Sequence, residues 1–554
     1  MNILMRKGKL ILAITLVLGS LNVNAGVPAK VKPTKNLVLM ITDGTSTSLL
    51  ATARWYHRYM TDSLDWALNL DPYICGLVQS RLSDAIIPDS APAMSGYVTG
   101  VPSRVGNLSI YPEPHPGQDV LPTEPEMAFH PAETILEASK TELGKSSGIV
   151  VTCHLDHATP AACASHTAGR GRAFDIAWQM VSNDVDILFG GGNRYVNEEM
   201  AAELEKAGIK LHRDDYGSFK SIKAGKNWAL FGDSDTQYEI ERNRDEQPSL
   251  SEMAVKALEV LSKDKDGFFL MIEGSKVDYG AHSKDVAAAV TEFIEFDKTF
   301  GKVLEFAKKN GNTTIVVLPD HGNSGITLGD AHYRSYSSKG VDSMFVYMKD
   351  YKNTSSTLAG MVGKCKTPEE IKAVFKERMN IDLKPYELEG VIAAINRTES
   401  DYMKISGSWN LQSVIASIMQ SRTHIGFTSG NHTGEDVFLA VYNPNGQRPS
   451  GIITNTQLNQ YMCRILGLKT SLRALSERDF SKAGDVFPGC TLSVNKDGSY
   501  PVLTVSGGGH TLVIPAWHSK YTLDGREIST PHPAVYMPDN DTFYVSTTLG
   551  KLMK

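Results

Sequence analysis

The sequence is short of several things, and each shortage excludes a class of protein. It has six cysteines, no two of them in C-x-x-C spacing, so a cysteine-based zinc site is not expected. Beyond the first 25 residues no apolar run is long enough to span a bilayer. Basic residues are not in excess. Lys and Arg number 56 against 62 Asp and Glu, a formal net charge of −6, which gives no hint of the basic face of a nucleic-acid binder. Hydrophobic residues at 41% and charged residues at 21% make an ordinary globular balance. A chain of 554 residues then has room for one large domain and a smaller one.

What is present begins with a leader. Residues 1–25 carry Arg6, Lys7 and Lys9, then the apolar stretch LILAITLVLGSL, then VNA before Gly26. A positive start, a short apolar centre and a small-residue cleavage site read as a signal peptide, with an uncleaved anchor as the competing reading. The expectation is an exported protein, periplasmic or extracellular, with no membrane span after cleavage. The even number of cysteines permits disulfides in that compartment, and burial as free thiols is the alternative.

Five short apolar runs follow: KNLVLMITDG, KSSGIVVTCHLDHATPAA, VDILFGGG, GFFLMIEGSKVDYGAHSKD and NTTIVVLPDHG. None alternates strictly, as expected of strands covered on both faces. Helical patterns lie between them: AFDIAWQMVSN, SEMAVKALEVLSKD and DVAAAVTEFIEFDKTFGKVLEFAKKN. This order predicts an α/β fold, a three-layer sandwich with a largely parallel central sheet flanked by helices. The residues after about Phe480 change character, with short β-type runs and KDG and LDG turns. They predict a small β-rich C-terminal domain or extension over 476–554, after a body over 26–475.

Ligands of open α/β sheets bind outside the carboxyl ends of the strands. Four of the five runs place Asp, Glu, His or Thr there: Asp43; His154, Asp156, His157 and Thr159; Glu273, Asp278 and His282; Asp320 and His321. One such residue is commonly a helix cap, and Asp43 alone reads that way. Four strand ends delivering metal-ligand types together do not. Asp and His suit zinc, and an all-oxygen set of Asp, Thr and Glu suits magnesium. Asp278 and His282 stand at i,i+4 on one helical face, and His432 offers a distant third ligand from a glycine-flanked loop. In IIPDSAPAMSGYVTG, Ser90 is either a helix cap or a nucleophile poised at a helix N-terminus. His510, His518 and His532 lack ligand spacing and read as non-metal.

The motifs ITDG, PDSA, DHATPAA with a following Arg, EGSKVDYGAH, PDHG and NHTGEDV, in that order, resemble the alkaline phosphatase family over most of the chain, to about residue 475. The resemblance implies a phosphomonoesterase with two Zn2+ and one Mg2+, acting on small phosphate monoesters. It makes Ser90 the nucleophile that forms a phosphoseryl intermediate, and Arg170 the phosphate clamp, with Arg172 as its competitor. It gives Asp278, His282 and His432 to one zinc, Asp43, Asp320 and His321 to the second, and Asp43, Thr159 and Glu273 to magnesium. His157 stands where the family carries Asp or His, and Tyr279 where better-known members carry Lys or His, so both are expected to modulate the site. The region at about 385–432 corresponds to a cap, and a homodimer is expected by analogy. A phosphodiesterase or sulfatase of the same superfamily is the main rival. Ser90 lacks the C/S-x-P-x-R sequence of sulfatases, since Met94 stands where Arg is required. An exported non-enzyme that uses metal structurally is the second rival. A poised nucleophile beside an open zinc set argues against it.

Overall fold

Alternate residues of the run at Asn36–Thr42 join opposite apolar cores. Leu37, Leu39 and Ile41 pack on one side of a sheet and Val38 and Met40 on the other. All five are fully buried. Each contributes about 1.5–3 kcal/mol by leaving water. A strand that must be apolar on both faces shows no alternation, which is why the run reads as continuous.

The computed structural model describes residues 26–63, 67–330, 340 and 342–553; the expected leader at 1–25 lies outside them. Among the described residues ten strands form the main sheet. They are β1 (Asn36–Thr42), β2 (Ile74–Gln79), β3 (Ser146–His154), β4 (Ile187–Gly191), β5 (Ile209–Arg213), β6 (Lys226–Leu230), β7 (Phe268–Gly274), β8 (Thr313–Leu318), β9 (Val437–Tyr442) and β10 (Gly451–Thr454). Their spatial order is β10-β2-β9-β8-β1-β7-β3-β4-β6-β5. Only β9 runs against its neighbours β2 and β8. The five runs named from sequence are the contiguous centre of this sheet, β8-β1-β7-β3-β4.

Helices cover both faces. Ser90–Thr99, Ala158–Ala164, Ala173–Ser182 and Asn455–Leu466 lie on one side, and Thr47–Thr61, Leu250–Leu261 and Val286–Asn310 on the other. Local chemistry sets their ends. Ser249 and Glu252 form a capping box at the start of Leu250–Leu261. Asp285 accepts from the Ala288 N–H to open Val286–Asn310, and Gly311 closes it with φ +69°. Shorter helices at Ser355–Val362, Pro368–Met379, Pro385–Ile395, Asp401–Ser406 and Leu411–Gln420 form a continuous helical layer that includes the region read as a cap.

The C-terminal residues form a five-stranded antiparallel meander from Thr491–Asn495 to Arg526–Ser529 and a small three-stranded sheet. Leu503, Val505, Leu512, Ile514 and Tyr521 join the same apolar core as Trp178 of the body. The rings of Trp178 and His518 lie 4.3 Å apart. Arg172 pairs with Asp539 at 2.9 Å and Lys520 with Glu203 at 3.1 Å. His532 is buried at this junction among Glu133 at 3.4 Å, Asp479 at 3.7 Å and Glu137 at 4.0 Å. The extra β region is therefore packed on the body.

Candidate active site

Four adjacent strands, β8, β1, β7 and β3, end at one edge of the sheet and release Asp320 and His321, Asp43, Glu273, and the segment from Cys153 to Thr159. The register explains the convergence. Ile41 of β1 is level with Glu273 of β7 and with Leu318 of β8, so residues just beyond these positions meet. Asp43, Glu273, Asp320 and His321 are fully buried.

Asp43, Asp320 and His321 form one cluster. His321 Nε2 lies 3.3 Å from Asp320 Oδ2 and 3.5 Å from Asp43 Oδ1. Neither oxygen of Asp43 has a hydrogen-bond partner, so Asp43 caps no helix. Burial pushes its carboxyl well above the usual range, and Asp320, Asp278 and Glu273 add to the shift. Glu273 is pushed up to about 8, by burial and then by Asp320. Orphaned, buried carboxylates stacked against one another fit a cation and little else.

Asp278, His282 and His432 form the second cluster, with donor atoms all within 4.8 Å of one another. His282 Nδ1 donates to the Gly430 carbonyl at 2.8 Å, and His432 Nδ1 donates to the Pro88 carbonyl at 2.7 Å. Those bonds fix the tautomers and leave each Nε2 its lone pair. The two Nε2 atoms nevertheless face each other at 3.1 Å, with Asp278 Oδ2 at 3.3 Å from the first. Lone pairs do not converge in this way unless a positive charge sits between them. Asn323 Nδ2 donates to Asp278 Oδ1 at 2.6 Å and fixes the carboxylate. Burial would raise Asp278, but the surrounding histidines outweigh it and hold the carboxyl well below the usual range. Two imidazole nitrogens and a carboxylate oxygen are the donor set of zinc with an open position. The two clusters adjoin, with His321 stacked on His432 at 3.6 Å. Gly44 makes the approach possible: its φ is +60°, and a Cβ there would lie 2.2 Å from Asp278 Oδ1.

Ser90 is the first residue of the helix Ser90–Thr99 and only 2% exposed. Asp89 is the N-cap residue, without a side-chain cap bond. The Ser90 hydroxyl instead lies 3.1 Å from His321 Nε2. Of the two sequence readings of Ser90, capping does not describe its contacts. Arg170 pairs with Asp89 beside it, and its Nη2 lies 3.4 Å from His157 Nε2. Arg172 is bound to Asp539 of the C-terminal region, so Arg170 is the arginine at the serine. Burial lowers His157 to about 3, and Arg170 and His154 push the same way. The Tyr279 ring lies 5.8 Å from His157.

Around Glu273 the structure gathers more than the expected oxygens. Thr159 Oγ1 and Glu273 Oε1 are buried without partners. Cys153 and His157 also have donor atoms within 4.8 Å of Glu273 and of each other. Sequence reading passed over Cys153 because a lone cysteine has no spacing signal. It also set His532 apart, whereas folding brings it to Glu133 and Glu137 with donor atoms within 4.8 Å. All six cysteines are free. His154 and Asp156 bond each other at 2.7 Å, and His166 bonds Glu137 at 3.0 Å, local roles outside the two clusters.

A doubly covered, largely parallel sheet with cation-binding groups at its strand ends makes this an α/β protein with a candidate metal centre. The profile of the alkaline phosphatase family matches residues 34–468. The chain belongs to that family, and so to the phosphomonoester hydrolases. It is 28% identical over 444 residues to alkaline phosphatase 3 of Bacillus subtilis, covering 78% of this chain and 89% of the relative. It is 29% identical over 469 residues to the repressible alkaline phosphatase of Saccharomyces cerevisiae, covering 77% and 79%. The fold is similar to that of Thermus thermophilus alkaline phosphatase, with a TM-score of 0.70 at 24% identity over 81% of this chain and 94% of the other. Among the described residues no helix is long and apolar enough to cross a membrane.

Proposed function

We propose that this protein hydrolyses phosphate monoesters through a phosphoseryl intermediate on Ser90, with two zinc ions and a third cation at the strand ends. The observation that carries this reading is Ser90 itself, a buried hydroxyl at a helix N-terminus, turned away from capping and toward His321. Asp278, His282 and His432 fit one zinc, and Asp43, Asp320 and His321 fit the other. Asp43, Thr159 and Glu273 fit a third ion, magnesium if its shell is all oxygen. Bound there, the cations supply charge neutralisation for the attacking and leaving oxygens.

The residues of the chain do the rest. Ser90 Oγ attacks phosphorus, and the ester oxygen leaves as the alcohol. The helix N-terminus favours the negative charge on the serine oxygen. Asp89 holds the Arg170 guanidinium beside the serine, where its planar fork can grip two phosphate oxygens. Water then attacks the phosphoserine, releasing inorganic phosphate and restoring the hydroxyl. His157 and Tyr279 border this path and tune it.

A homodimer belongs to the same reading. It is supported by the family and by Ile405 and Trp409, 87% and 80% exposed on the helical layer. Export through the leader rests on the sequence alone. The test of function compares p-nitrophenyl phosphate with its bis-ester in the wild type and Ser90→Ala, before and after chelation. The expected result is monoester turnover that chelation abolishes and zinc with magnesium restores. Ser90→Ala should take up no phosphate covalently yet keep its metal. Full turnover by Ser90→Ala would overturn the nucleophile assignment, and preference for the diester would move the protein to a sister family.

A further inference from the structure

We propose that the third cation position is a mixed sulfur, nitrogen and oxygen site in which Cys153 supplies a thiolate, so that it selects zinc or cobalt over magnesium. This rests on the reading above that a third ion lies beside Glu273.

Cys153, His157 and Glu273 offer Sγ, a ring nitrogen and a carboxylate oxygen that all lie within 4.8 Å of one another. Cys153 and Glu273 are fully buried. The group is under-satisfied. Glu273 Oε1 and His157 Nδ1 have no hydrogen-bond partner, although both atoms are sealed from solvent. The Cys153 thiol contacts Glu273 Oε2 at 3.5 Å. A thiol is a weak donor, so that contact leaves the remaining lone pairs of the cluster unanswered. Sulfur and oxygen ligands of one tetrahedral ion, at the usual zinc distances, stand about 3.6 Å apart, close to what is seen here. His157 Nε2 faces Arg170 Nη2 at a long 3.4 Å. Once Arg170 turns to a phosphate, Nε2 is free to carry the ring proton and Nδ1 to present its lone pair.

The choice of ion follows from the donors. Magnesium takes hard oxygen ligands in near-octahedral geometry and keeps several waters. Zinc and cobalt accept thiolate and imidazole beside carboxylate, and stand later in the affinity order for such sites. As the sulfur–metal bond forms, the thiol proton leaves to solvent. Asp43 and Thr159, both buried with unpartnered oxygens, offer the fourth ligand beside these three.

The test uses the full chain stripped of metal and reloaded with cobalt(II). Cobalt bound to thiolate has a near-ultraviolet charge-transfer band that oxygen and nitrogen ligands do not give. The expected outcome is three cobalt ions per chain with that band, lost in Cys153→Ser and retained in Cys163→Ser. Cys163 is the neighbouring buried thiol, whose contact is the Thr159 carbonyl at 3.8 Å. Zinc affinity of the third position should fall in Cys153→Ser by about 10- to 100-fold or more, the range produced by losing even an outer partner of a metal ligand. X-ray absorption of the wild-type zinc form needs no variant and should show sulfur at about 2.3 Å. Three bound ions with no band and no sulfur scattering would overturn the thiolate. A band that survives Cys153→Ser would assign it to another cysteine and overturn it equally. A chain that takes up only two ions, with the count unchanged by Glu273→Gln, would instead remove the third-ion reading on which the inference stands.

Discussion

His532 is the best place to measure what joins the C-terminal region to the body. Burial alone would strip its proton, but Glu133, Glu137 and Asp479 outweigh burial and push the imidazole up to about 9. The unfolded value is near 6.5, so the folded state binds the proton more tightly. The sign follows. Stability from this group is fully present below pH 6.5 and disappears as pH rises through about 9. Linkage makes it worth about 2–3 kcal/mol at pH 7 and almost nothing at pH 10. Burial also pushes Glu133 up to about 7, against the pull of His532, so both groups make the folded state the better proton binder. The perturbation is His532→Gln, which keeps polarity and removes titration. Unfolding in denaturant, followed by the fluorescence of Trp517 in the same region, gives the difference between variant and wild type. The expected difference is about 2–3 kcal/mol at pH 7, shrinking to a few tenths at pH 10. His166, which titrates at the Glu137 side of the cluster, is common to both proteins and cancels. An equal difference at both pH values would refute the reasoning, because a purely steric loss does not depend on a proton.

Arg170→Ala should weaken inhibition by inorganic phosphate about 10- to 100-fold, the loss of a charge-assisted hydrogen bond of about 1.5–3 kcal/mol, with metal content unchanged. Arg172→Ala, measured beside it, should leave phosphate inhibition where it was, because its guanidinium is bound to Asp539. Gly44→Ala costs about 1–2 kcal/mol for a left-handed residue with a Cβ. It also drives that Cβ into the Asp278 carboxylate, so retained zinc should fall on dialysis. Chelation should lower the melting temperature, since Asp43, Asp278, Asp320 and Glu273 are then left facing one another in the interior. Each site reloaded at a hundredfold excess over Kd returns about 2.7 kcal/mol, and a melting curve unmoved by chelator would remove cations from the account.

The centre of the sheet was legible because its strands must be apolar on both faces. β1, β3, β4, β7 and β8 stand out as continuous runs, and the residue types at their ends mark the functional edge. The strands outside this centre carry weaker patterns. Ile74–Gln79 is only partly covered, with Val78 its one buried residue, so no run of apolar residues announces it. Val437–Tyr442 is apolar and buried but runs antiparallel, and the short strand His432–Thr433, not a helix, comes directly before it. The ligand types were legible because they stand where those apolar runs end. The contacts that distinguish Arg170 from Arg172 were not, since they depend on where Asp539 docks from the other end of the chain. Cys153 and His532 were missed because a metal or proton site assembled from single residues on separate elements leaves no spacing to read.

His432 donates to the carbonyl of Pro88, which lies 344 residues earlier and directly precedes Asp89 and Ser90. The same ring faces His282, 150 residues away. The centre thus draws on both ends of the body at once. Bringing such distant residues together must wait for the intervening chain, since long loops close late and at an entropic cost. A growing or partly threaded chain that has not yet delivered residue 432 holds Asp278 and His282 without their third partner. Such a chain has two of the three ligands, with correspondingly little grip on an ion. On the proposed reading, loading is therefore a late event, and a chain that carries metal at this cluster has already brought the two ends of its body together.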